Sequence, residues 1–150
     1  MSTVVIVPCG KSKVWDRQPR RGTTPASSVY TGALHKVAQR YARRHADKWY
    51  ILSAKYGIIR PDFLIPETYD VTFNTGDGVS VATLRRQVRA ERIHRASKVI
   101  VVGGTVYCSV VEQALSKWRV IPECPFRGLP IGKMLQAINQ VLNQREGFGL

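Results

Sequence analysis

Acidic side chains are scarce in this chain: ten Asp and Glu stand against 23 Lys and Arg among 150 residues, a formal net charge of +13. A surface so short of carboxylates points to a polyanionic partner, because its field attracts phosphate-bearing ligands. Cysteine is scarce as well. Cys9, Cys108 and Cys124 form neither a CxxC pair nor a Cys/His cluster, which excludes a disulfide framework and predicts no structural zinc. No other cofactor is expected. No apolar run approaches the roughly 18 residues of a spanning helix, and no basic stretch precedes a long apolar one near the amino end. The expectation is a soluble cytoplasmic protein with no membrane partner. Internal repeats and low-complexity segments are missing too.

With 44% apolar residues, residues 1–150 fit one domain able to bury roughly two-thirds of its unfolded surface. Val4-Val5-Ile6-Val7, Trp49-Tyr50-Ile51-Leu52 and Lys98 to Val102 read as strands, and Arg119-Val120-Ile121 as a further short one. Helical spacing runs over Thr31 to His45, with Thr31 as cap, then Ser80 to Ala96, Tyr107 to Trp118 and Ile131 to Asn143. Lys11 to Ser28 reads as a long basic loop, functional or mobile. A second loop covers Ile58 to Gly78, with turn signals at Asn74-Thr75-Gly76 and Asp77-Gly78. The alternation predicts a single α/β domain: a mostly parallel sheet of about four to five strands with helices on both faces.

In such sheets ligands lie outside the carboxyl ends of the strands. Three of those ends are unusual here: Cys9-Gly10-Lys11-Ser12-Lys13, Ser53-Ala54-Lys55-Tyr56-Gly57 and Gly103-Gly104-Thr105. Together they bring to one rim the glycines, amide donors and ammonium groups of an anion site. The first lacks GxxxxGK[ST], so a nucleoside-triphosphatase P-loop is not supported. Tyr30, Thr31 and Gly32 open a helix whose amides are candidates for a phosphate, although capping alone would explain the threonine. Lys55 and Tyr56 suit a phosphate and a stacked base; the competing reading packs Tyr56 in the core and makes Gly57 a positive-φ turn residue.

These segments carry a resemblance. Val7-Pro8-Cys9-Gly10-Lys11-Ser12-Lys13, Tyr30-Thr31-Gly32, Leu52 to Gly57 with Ile65-Pro66 and Tyr69-Asp70, and Leu129-Pro130-Ile131-Gly132-Lys133 resemble a bacterial and phage domain family of unassigned function. That family is distantly similar to the YaaA peroxide stress protein family. The resemblance implies an α/β fold and, through YaaA, duplex DNA binding; it implies no settled catalytic chemistry.

Candidate chemistry falls on few residues. Cys9 is either a nucleophile whose thiolate the loop lysines favour or a small packing residue. Asp70 and Glu67 are loop acids suited to assist at a sugar C1′, or ordinary surface carboxylates. His35, His45 and His94 have no acid partner in sequence and are expected to be solvated. Twelve basic and two acidic side chains fall within residues 1–60, and six basic against one acidic within 85–98. Arg17, Arg20, Arg21, Arg40, Arg43 and Arg44 are candidates for a nucleic-acid backbone, as are Arg85, Arg89 and Arg92 on a single helical stripe. Trp15, among the loop cations, either stacks on a base or anchors the loop in the core.

The functional expectation is a nucleic-acid-associated protein, duplex DNA first, with a nucleotide or phosphate pocket at the sheet rim. If it is an enzyme, hydrolysis or transfer at an N-glycosidic bond is the natural class. An enzyme on free nucleotides and a noncatalytic adaptor are the alternatives.

Overall fold

A computed structural model describes residues 2–73 and 76–148, the side chains of 145–148 excepted. Asn74 and Thr75, within the expected turn, lie outside the described residues. In chain order the elements are β1 (Thr3–Pro8), β2 (Thr24–Pro25), α1 (Ala26–Val29), α2 (Ala33–His45), β3 (Lys48–Ser53), β4 (Gly57–Ile59), β5 (Leu64–Ile65), α3 (Val81–Ala90), β6 (Lys98–Val101), α4 (Thr105–Leu115) and α5 (Ile131–Phe148).

Strand β1 has no polar residue between Val4 and Pro8, all of them buried, the composition of a strand covered on both faces. It pairs in parallel with β3, Val4 opposite Lys48 through Pro8 opposite Leu52. On its other side it pairs in parallel with β6, Thr3 opposite Lys98 through Ile6 opposite Val101. Strand β4 adds antiparallel to the outer edge of β3, so the order is β4-β3-β1-β6. The fold is therefore α/β with a mostly parallel four-stranded sheet. Alternate strand residues part into two apolar clusters, as the two-residue period of a strand requires. Val5, Val7 and Ile51 join Val37 and Tyr41 of α2 and Met134, Ile138 and Leu142 of α5. Val4, Ile6 and Leu52 join Leu84 and Val88 of α3 and Cys108, Val111 and Leu115 of α4.

Four expectations change. Residues 119–121 form no strand, because Arg119 is left-handed at φ 59° and Ile121 is 84% exposed; the chain meets the sheet edge at Glu123, bridged to Ile100. Helix α3 stops at Ala90 and a separate 3-10 turn covers Ile93–Arg95, because Arg92 is left-handed at φ 58°. The stretch read as a loop from Ile58 contains β4 and β5, the latter paired antiparallel with β2. The basic loop is tied down at its base: Trp15 is buried, and its indole N–H donates to the Arg21 carbonyl at 2.6 Å. That burial excludes Trp15 as an exposed stacking platform.

The turn from β3 to β4 shows how local chemistry sets the rim. Gly57 is left-handed at φ 82°, the conformation that closes a three-residue hairpin loop. The Gln87 amide clamps the turn, donating to the Tyr56 carbonyl and accepting from the Ile58 amide, both at 2.8 Å. A Cβ on residue 57 would run into that amide. Gly57→Ala is expected to lose about 2 kcal/mol through backbone strain and a displaced clamp, read as a lower urea midpoint at unchanged slope.

Candidate functional site at the sheet rim

Beyond the carboxyl ends of β1 and β3 lies a cavity of about 430 Å³ lined by Cys9, Gly10, Lys11, Lys13, Ala54, Asp70, Val71, Thr72, Phe73, Val106, Tyr107 and Ile131. Cys9 follows β1, Ala54 follows β3, Val106 and Tyr107 lie in the first turn of α4, and Ile131 opens α5. The helix starts bring amides that have no intrahelical partner. Asp70 and Lys11 also border an adjoining cleft of about 500 Å³ with Ser12, Asp16, Thr68 and Tyr69.

Beneath the cavity runs a chain of buried hydroxyls. Tyr30 and Tyr69 meet phenol to phenol at 2.5 Å, and Ser53 Oγ meets Tyr69 Oη at 2.8 Å. The Lys55 and Tyr56 amides donate to Ser53 Oγ at 3.2 and 3.1 Å. With both lone pairs so used, the Ser53 proton goes to Tyr69. Burial pushes the Tyr69 phenol up to about 12. Tyr30 is pushed up further, chiefly by burial and then by Tyr69 beside it. Both stay neutral.

Lys13 is 5% exposed. Its ammonium donates to the Lys11 carbonyl at 3.0 Å and sits 4.5 Å from the centre of the Tyr69 ring. Burial lowers its pKa, and nearby Lys11 lowers it further, against the opposing pull of Cys9, Asp16 and Asp70. Asp16 uses one carboxylate oxygen to accept the Lys13 backbone amide at 2.8 Å. Cys9 Sγ lies 3.4 Å from Tyr107 Oη. Burial, and then Cys9, raise the Tyr107 phenol.

The site brings together Cys9, Gly10, Lys11, Lys13 and Asp70 among the expected residues. Ser12 stands in the adjoining cleft. Tyr30 and Ser53 are buried beneath and lie out of a ligand's reach, because the hydroxyl chain uses their oxygens. Tyr56 spends its ring on edge-to-face contact with Tyr69 at 5.5 Å, while exposed Lys55 holds its ammonium 5.3 Å from the Tyr56 ring centre. Gly57 serves the turn. Gly103 packs against Tyr107 and Pro8, and Gly104 caps α4. Gly32, rather than Thr31, caps α2, and the Thr31 amide donates to the Ser12 carbonyl at 3.1 Å. Glu67 is exposed and outside the cavity lining.

The basic stripe on α3 is not continuous. Arg85 donates to the Gln113 carbonyl and to Ser116 Oγ, both at 3.1 Å. Arg92 has left the helix, and Arg89 stays exposed. Arg44 donates to the Leu142 carbonyl at 2.8 Å, and Arg43 braces Gln39 with its guanidinium 5.2 Å from the Trp49 ring centre. Arg17, Arg20, Arg21 and Arg40 are exposed.

Two residues lining the site, Tyr107 and Phe73, and one that supports it, His35, carry roles that the sequence does not signal. Tyr107 was legible only as the side chain one turn past Gly103-Gly104, and Phe73 lay in an apparent loop. His35, expected to be solvated, is 2% exposed. Its Nδ1 lies 2.7 Å from the Pro8 carbonyl and its Nε2 3.1 Å from Gln39 Nε2. An amide nitrogen only donates, so Nε2 accepts and Nδ1–H donates to Pro8. The i, i+4 spacing of His35 and Gln39 was the available signal.

The chain belongs to a family of unknown function, DUF6884, whose model matches residues 4–140. It is 38% identical over 149 residues to the Bacillus subtilis (strain 168) protein YfjM, described as uncharacterized, covering 97% of this chain and 98% of the relative. No solved structure matches the chain. A bacterial family of unassigned function, expected from the motifs, is thus established.

Burial holds His35 below its ordinary 6.5. Below that pH the unfolded chain takes up a proton that the folded chain resists, so stability is complete above 6.5 and falls on acidification toward the folded-state value. Thermal melts between about pH 7 and about pH 5 should show a smaller loss in His35→Gln than in the parent. Equal slopes would refute the assignment.

Proposed function

We propose that the protein is nucleic-acid-associated, with duplex DNA as its first partner, and that the rim cavity receives one nucleotide unit. The observation that supports this most is the meeting of exposed Lys11, the first turn of α4 and an apolar wall of Phe73, Val106 and Ile131 around a single cavity. A volume of about 430 Å³ falls within the range of small-ligand sites. The phosphate would lie toward Lys11 and the helix amides, and the base against the apolar wall. Asp70, in the same lining, is the acid available at the sugar, for chemistry at an N-glycosidic bond.

The polymer would be held by the exposed arginines of the basic loop. Duplex DNA is placed before other polyanions on the distant similarity to the YaaA family that the motifs imply. A second reading, an enzyme on free nucleotides, is favoured by the internal bonds of Arg44 and Arg85, which reduce the surface left for a polymer.

Fluorescence anisotropy with duplex DNA, single-stranded DNA and RNA at two salt concentrations tests the proposal. Binding should weaken steeply with salt, and Arg17/Arg20/Arg21→Ala should flatten the logarithmic slope by about one for each phosphate that is no longer neutralised. No binding at low salt, with mononucleotide binding unaffected by the triple substitution, would select the second reading.

A further inference from the structure

Lys13 stands apart from the other basic residues of the rim. Its side chain is packed into the protein although the cavity borders it, whereas Lys11 and Lys55 are exposed. Buried ammonium groups are ordinarily paired with a carboxylate. Arg60–Glu91, Lys98–Glu123 and Arg127–Glu112 pair in this way, whereas Lys13 has no carboxylate within ion-pair distance among the described residues. Its ammonium instead meets a carbonyl oxygen and a phenol face.

We propose that Lys13 is an amine nucleophile which condenses with the aldehyde carbon of an open-chain sugar phosphate, the unit left when a nucleotide has lost its base. The inference rests on the reading of the cavity as a nucleotide site and names a substrate class for it. Two features of the surroundings favour it. Desolvation favours the free amine, which attacks where an ammonium does not. Lys11 and the amides of α4 would take the phosphate, leaving Lys13 free of that task. Cys9, Lys11, Asp16 and Asp70 are the charged or titratable groups that bear on its protonation, together with the Tyr69 phenol against which it packs.

The step balances without an oxidant or reductant. The Nζ lone pair forms a bond to the aldehyde carbon, and a proton moves from nitrogen to the former carbonyl oxygen, giving a carbinolamine. One further proton, entering from water through Asp70 at the cavity, lets that hydroxyl leave as water. The product is an iminium linking Nζ to the sugar carbon, and water reverses it.

The test is reductive trapping on the intact protein. A duplex oligonucleotide with one abasic site and, separately, 2-deoxyribose 5-phosphate are each incubated with cyanoborohydride, followed by intact mass and peptide mapping. The expected result is one adduct, on the peptide holding Lys13, reduced about tenfold or more in Lys13→Arg, which keeps the charge but forms no imine. Should that variant fail to fold, the mapped position in the parent protein decides alone. Trapping of the free sugar phosphate without the duplex would uphold Lys13 and reject the polymer reading. Absence of adduct, or adducts spread over exposed lysines with none on Lys13, overturns the proposal.

Discussion

The parallel pairing of β1 with both β3 and β6 is the constraint that organises the molecule. Parallel strands end at one edge, so Cys9-Gly10 and Ser53-Ala54 must emerge side by side, and the chain must cross back before each new strand. Helix α4 then starts at the edge where β6 stops. Because β1 is buried along Val4 to Pro8, no charged group fits within it. Charged side chains are displaced to the residues just past its end, Lys11 and Lys13. The His35 imidazole fixes that end by donating to the Pro8 carbonyl, and Gln39 fixes the imidazole in turn by donating to Nε2 while bonding the Ser27 carbonyl at 3.1 Å.

A second layer of constraint is polar. Tyr30, Ser53 and Tyr69 come from three separate segments and are all buried; each hydroxyl would be costly there alone, and together they satisfy one another. The chain they form joins the residue that ends α1, the end of β3 and the segment leading to Asp70. It therefore sets the height of the cavity floor on which Lys13 rests. Tyr56 packs edge to face on Tyr69, and Phe73 on Tyr107 at 5.7 Å, bracing the surroundings with rings that hold shape better than aliphatic side chains would.

The sheet was legible because β1, β3 and β6 are apolar runs whose periodicity is local, and the helices because their buried faces repeat at helical spacing. What escaped was decided by backbone and tertiary facts. Nothing around Arg92 or Arg119 marks a left-handed arginine, since non-glycine residues rarely adopt that conformation. Strands β2 and β5 are two residues each and exist only through each other, so neither segment signals alone. At the site, glycine and lysine after the strand ends were readable, but whether a lysine or a tyrosine faces solvent was not. Lys11 and Lys13 look equivalent in sequence and differ in kind once Tyr30 and Tyr69 have closed beneath the second.

Counting basic residues overstates the footprint available to a polyanion. Arg85 and Arg44 spend their guanidinium groups on carbonyls, and Arg43 braces Gln39, so their charge is present while their donors are engaged. Arg17, Arg20 and Arg21 are exposed together in the loop, while Arg40, Arg89, Arg92 and Arg95 are exposed elsewhere along the chain. Arg17, with Lys36 and Thr31, lines a cleft of about 490 Å³ of which Lys13 is also a wall. Lys13, itself in the basic loop, thus forms a wall of both the loop cleft and the rim cavity. On the proposed reading, a strand held by the loop arginines would pass the Lys13 wall that the two clefts share.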